Sequence, residues 1–141
     1  MRVLTVLLFS LLGLTACAGT PVPEADPQQA WISLHSAPGD SLLASRLDGQ
    51  RLSDGRYFQV TPGEHSLEAR FQFERSARGG GDFGTQTTQV TCYVRVRYAG
   101  FVAGQRYRME ARPLLMKAQV WLYDDQRQVL TRGDVLRCGP Y

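Results

Sequence analysis

Histidine is scarce in this chain: His35 and His65 are the only two, and none follows residue 65. A hydroxyl nucleophile is weak without a positioned base, so a hydrolytic centre that draws its base from the C-terminal half is excluded. Lysine is scarcer still, with Lys117 alone among 16 basic residues. Cysteine is limited to Cys17, Cys92 and Cys138. Thiols without neighbouring His or Cys make a poor zinc site, and neither metal nor cofactor is expected. Charge of one sign is also missing, since 16 basic residues face 13 acidic ones. So mild a balance gives no electrostatic ground for nucleic-acid binding. No stretch beyond residue 29 keeps a helical period for three turns, which excludes helical bundles and α/β scaffolds. The longest apolar run, Val3 to Leu14, is shorter than the roughly 20 residues a membrane helix needs.

What is present begins with that run. Met1-Arg2 precedes it, and Leu14-Thr15-Ala16-Cys17 closes it with small residues. One positive residue, a short apolar core and a small-residue end are the marks of a secretory signal. The closing tetrapeptide resembles the lipobox of bacterial lipoprotein precursors. That resemblance implies cleavage before Cys17, lipidation of its sulfur and acylation of the new amino terminus. One acyl chain holds only marginally to a bilayer, whereas several make a stable anchor. Ala18, rather than Asp, after the cysteine implies the outer membrane, with the protein facing the periplasm. Residues 17–29 carry three prolines and few apolar side chains, and read as a flexible tether. Residues 30–141 are then one domain, of about 110 residues, enough for a single core. In an oxidising compartment Cys92 and Cys138 are expected to form a disulfide, pinning the C-terminal tail to the middle of a strand.

Period-two alternation dominates the domain. Leu67, Ala69, Phe71 and Phe73 alternate with polar residues between Glu64 and Arg75, and Val90, Cys92, Val94, Val96 and Tyr98 do so between Gln89 and Tyr98. Gln105 to Arg112 and Lys117 to Tyr123 behave alike, with shorter candidates at 30–35, 43–47, 57–61 and 128–131. Such alternation marks half-buried strands. Asp48-Gly49 suits a two-residue hairpin, and Thr61-Pro62-Gly63-Glu64 a type II turn. About eight short strands predict a single antiparallel β-sandwich. Residues 47 to 71, "LDGQRLSDGRYFQVTPGEHSLEARF", resemble the small PEGA-like envelope modules in their Asp-Gly turn, Val-x-Pro-Gly-Glu-His step and alternating strand. The resemblance implies a β module and no catalytic residues, with His65 as a turn residue capping local backbone.

Two motifs mimic catalytic signatures. Gly39-Asp40-Ser41-Leu42 spells the start of a GDSL hydrolase, but the C-terminal Asp-x-x-His partner is absent, and Pro38-Gly39-Asp40 reads as a turn. Gly79-Gly80-Gly81-Asp82-Phe83-Gly84 matches Gly-x-Gly-x-x-Gly. A dinucleotide fingerprint must open a helix, and here a strand follows, so residues 76–88 read as a long, flexible hairpin loop.

The remaining signal is on the polar phase of the strands. Arg95, Arg97, Arg106, Arg108 and Arg112 share one face if their strands pair, and Trp121 and Tyr123 fall on the same outward phase. Arginine beside exposed aromatics characterises interface hot spots. The chain is therefore expected to be a non-enzymatic binding module of the cell envelope. Its expected partner is an envelope protein, with a glycan such as peptidoglycan or a lipid headgroup as the alternative, and no nucleic acid.

Overall fold

The computed structural model describes residues 17–77 and 86–140. Within them the chain forms ten strands: β1 (Ala30–His35), β2 (Ser41–Leu47), β3 (Gln50–Arg51), β4 (Tyr57–Val60), β5 (Gly63–Ala77), β6 (Gln86–Phe101), β7 (Arg106–Leu114), β8 (Lys117–Tyr123), β9 (Val129–Arg132) and β10 (Asp134–Pro140). The signal segment, the Gly79–Gly84 motif and Tyr141 lie outside the described residues. The strands make two five-stranded sheets, ordered β4-β1-β7-β8-β9 and β10-β6-β5-β2-β3.

This corrects the expected single antiparallel β-sandwich of about eight strands. The first sheet is mixed: β1 runs antiparallel to β4 but parallel to β7, with Ile32 opposite Tyr107 and Leu34 opposite Met109. The physical reason is that alternation reports which side chains face the core, not which strand lies alongside. After β6 the chain turns at Val102–Gln105, closed by a Gln105 N–H to Val102 carbonyl bond of 3.2 Å. It then crosses to the other sheet instead of pairing back as a hairpin. The last of the five crossings between sheets follows β9 at Gly133, whose N–H donates to the Val120 carbonyl at 2.9 Å. A β-carbon there would collide with the Arg95 carbonyl and meet Val120 and Val96 methyls at 2.6 and 2.7 Å. Only glycine lets the chain pass this close.

The apolar phases of both sheets meet in one core. Ile32, Phe58, Met109, Val120 and Leu122 come from the mixed sheet, and Leu67, Phe71, Phe73, Val90, Val94 and Val96 from the antiparallel one. Each is almost completely buried, and burial of such a side chain stabilises by about 1.5–3 kcal/mol. Tyr107 and Phe101 close one end edge-to-face, with centroids 5.0 Å apart. The Tyr107 hydroxyl accepts the Val102 N–H at 3.0 Å.

The Asp48-Gly49 hairpin forms where the sequence predicts it. Asp48 and Gly49 both take positive φ (49° and 82°) between β2 and β3, and Gly63 takes 113° after Pro62. His65 ties these two turns together. Its Nδ1 lies 2.6 Å from Asp48 Oδ2, and its Nε2 lies 2.8 Å from the Thr61 carbonyl. Asp48 also accepts the Ser66 N–H at 2.8 Å. That backbone bond, then the one to His65, holds the Asp48 carboxyl below its usual range.

A disulfide joins Cys92 to Cys138, which face each other in the β6–β10 ladder. It fixes the C-terminal edge strand to the middle of β6. Residues 17–29 do not hang free along their whole length. The Asp26 N–H donates to Gln59 Oε1 at 3.0 Å, and Arg56 Nη1 donates to the Thr20 carbonyl at 2.7 Å. Arg56 is itself gripped by Asp54 at 2.6 Å, and this hydrogen-bonded pairing pulls the Asp54 pKa down to about 2.

Candidate functional site

The outer face of the mixed sheet is assembled by register. Across it, Ser33, Arg108 and Tyr123 stand side by side on β1, β7 and β8, and His35, Glu110, Trp121 and Arg132 form the next row out to β9. Trp31 lies opposite Arg106 on one side and Gln59 on the other. Those on β1, β7 and β8 alternate with residues of the core or packed against it, so sheet geometry turns them outward.

Glu110 is the electrostatic hub of this face. Arg112 Nε donates to it at 2.7 Å and Arg108 Nε at 3.2 Å. Burial opposes its ionisation, but the hydrogen bonds and charges of Arg112 and Arg108 prevail and hold its carboxyl below the usual range. The guanidinium groups of Arg112 and Arg132 both lie over the Trp121 ring, 5.5 and 5.9 Å from its centroid. At the other side of the sheet, Trp31 and Tyr57 stack at 4.3 Å with planes 12° apart. His35 Nε2 lies 3.2 Å from Ser33 Oγ, which donates to the Tyr107 carbonyl. Burial, then the positive charge of Arg108, lowers the His35 pKa against the opposing pull of Glu110. A shallow depression of about 230 Å³ opens between Trp31, His35, Arg108 and Arg127. The rest of the face is open sheet.

The structure brings Arg106, Arg108, Arg112, Trp121 and Tyr123 together and separates Arg95 and Arg97 from them. The shared arginine face requires β6 to pair with β7, and these strands belong to different sheets. Arg95 instead bonds Glu68 at 2.7 Å, and Arg97 stands opposite Ser66, both on the other sheet. Trp31, Tyr57, His35 and Arg132 join the site without having been singled out. Their outward phase is present in the short strands, but only the parallel β1–β7 pairing carries the aromatic pair to the arginine rows.

The Gly39-Asp40 segment forms a turn closed by the Asp40 N–H to Ala37 carbonyl bond of 3.0 Å, with Gly39 at φ 89°. Ser41 opens β2, while both histidines bond elsewhere. Cys17 is exposed. Among the described residues no group of three His, Cys, Asp or Glu side chains gathers to hold a metal ion, and no helix is long and apolar enough to cross a membrane. Comparison of the chain with protein-family profiles, curated proteins and solved structures finds no match.

Proposed function

We propose that this chain is a lipid-anchored module of the outer membrane, facing the periplasm, that acts by binding an envelope protein through the outer face of its mixed sheet. The observation that carries the reading is Trp121 lying under Arg112 and Arg132, on the same face as Arg108, Tyr123 and the Trp31–Tyr57 stack. Tryptophan, tyrosine and arginine are the residues that dominate interface energetics, and an open sheet face suits an extended partner surface more than a small molecule. Arg106, Arg108, Arg112, Arg127 and Arg132 against Glu110, Asp124 and Asp125 leave the face mildly basic, which favours an acidic partner. The anchor reading rests on the Leu14–Cys17 motif. Thr20 is bonded to Arg56, near the end where β1 stops and β7 runs on to its turn. Leu115 and Met116 in that turn are 80% and 50% exposed, and in this reading that end faces the bilayer.

The test is in-cell crosslinking and detergent pull-down of the full chain beside Arg108→Glu and Trp121→Ala variants. One stoichiometric protein should be captured by wild type and lost from both, since truncating a hot-spot residue costs about 2 kcal/mol or more, roughly 30-fold in affinity. Equal capture by all three removes the face from the reading. Radiolabelled palmitate incorporation, expected for wild type and absent from Cys17→Ala, tests the anchor. The stacked Trp31–Tyr57 pair favours a second reading, glycan binding. There Trp31→Ala abolishes retention on peptidoglycan while protein capture is unaffected.

A further inference from the structure

The other sheet also has an outer face, and its centre is an open groove of about 540 Å³. Two rows of side chains floor it. Arg137, Tyr93, Arg70 and Leu43 form one row across β10, β6, β5 and β2. The next runs from Arg95 through Glu68 and Arg46 to Arg51, with Asp134 opposite Arg95 at the β10 edge, outside the residues that line the groove. Neighbouring strands lie about 4.8 Å apart, and alternate residues on one face roughly 6.5 Å apart, so the arginines stand close together.

The charges in this groove do not balance. Glu68 is its one carboxylate among the lining residues, and it is taken by Arg95, which donates from Nε and Nη2 at 3.1 and 2.7 Å. Among the described residues Arg46, Arg51, Arg70 and Arg137 form no ion pair. Arg46 stands directly opposite Arg51 in the ladder, an arrangement of like charges that costs stability. Arg137 lies over the Tyr93 ring, 4.3 Å from its centroid, which holds its fork in place instead of neutralising it. Leu43, Leu52 and Leu136 border the groove, so its walls are partly apolar.

We infer that this groove is an anion-binding site for a phosphorylated ligand with two phosphate groups on a partly apolar body. Arg46 and Arg51 hold one phosphate, and Arg70 and Arg137 hold the other across the Tyr93 ring. Guanidinium forks match phosphate oxygens in pairs, and an incoming dianion relieves the Arg46–Arg51 repulsion. The inference stands apart from the proposed function, because it uses the opposite face of the molecule. Two sources offer this chemistry, a phospholipid headgroup and a soluble sugar phosphate.

Calorimetric titration of the full chain in neutral-detergent micelles separates them, with cardiolipin and glucose 1,6-bisphosphate as probes. Binding of either supports the site, and whichever binds names the source. Arg46→Gln/Arg51→Gln and Arg70→Gln/Arg137→Gln should each weaken binding at least about tenfold. Arg106→Gln/Arg127→Gln, which removes the same charge from the other face, should leave it unchanged. The inference is overturned if neither probe binds wild type, if the groove variants bind as wild type does, or if the control variant loses as much as they do. Far-ultraviolet circular dichroism of each variant verifies folding. An Arg108→Glu variant that loses its partner protein but keeps the probe shows the two faces failing separately.

Discussion

Reduction of the Cys92–Cys138 bond perturbs the unfolded chain more than the folded one, which makes its effect calculable. The two cysteines are 46 residues apart. Cross-linking a loop of that length removes chain entropy worth about 4 kcal/mol at room temperature, at the upper end of the usual 2–4 kcal/mol. The native contacts of β10 survive reduction, because Asp134, Val135 and Arg137 to Pro140 stay in the ladder with β6. For a domain of about 110 residues, 4 kcal/mol corresponds to a melting-temperature loss of roughly 15–20 °C. Urea unfolding of the oxidised protein, compared with the same protein in a phosphine reductant, measures this without altering a side chain. A Cys92→Ala/Cys138→Ala variant should lose more than reduction does, because Cys92 is wholly buried and its truncation also leaves a void. A loss below about 1 kcal/mol on reduction would refute the reasoning. The unfolded chain would then already hold β6 and β10 together.

Gly133→Ala should destabilise the domain by about 1–3 kcal/mol or more through overpacking, because its methyl meets the Arg95 carbonyl and Val120 and Val96; Gly19→Ala, in open space, should be silent in the same melts. Phe71→Ala should cost about 3–5 kcal/mol in urea titrations, since the ring is fully buried. Asp48 has a lowered folded pKa, so its contribution is complete above the unfolded carboxylate value near 3.9 and is lost as pH falls through the lower folded value. Asp48→Asn should therefore flatten the acid limb of the stability profile below about pH 4, and an unchanged limb would remove the His65–Asp48–Ser66 network from the account.

The strands were legible wherever alternation was clean. Ala30–His35 and Lys117–Tyr123 fall where the pattern puts them, and β5 and β6 extend the pattern at their outer ends. β3 and β10 left no such trace. β3 is two residues long, and β10 is a largely exposed edge strand ending in Gly139-Pro140. Edge strands tolerate proline and need no apolar phase. The disulfide was legible from the even pair of cysteines left beyond Cys17 and from the oxidising compartment expected of the leading segment. The site was half legible: Arg106, Arg108, Arg112, Trp121 and Tyr123 share a face because β7 and β8 form a local hairpin. The aromatic pair and the second basic face depended on which distant strands become neighbours. That information resides in core packing between sheets, and no window of sequence contains it.

The parallel strand also sets an order in time. β5 and β6 are consecutive in the chain and pair along most of their length, the kind of local pairing that forms early. β1 is made first but waits about 75 residues for β7, its parallel neighbour, and closing so long a loop is slow. Until then its β7-facing edge, unlike the edge shared with β4, offers unpaired backbone N–H and C=O groups to any strand that passes. A chain cut short before residue 106 would keep that edge open permanently, so fragments of this protein should stick to one another where the whole chain does not.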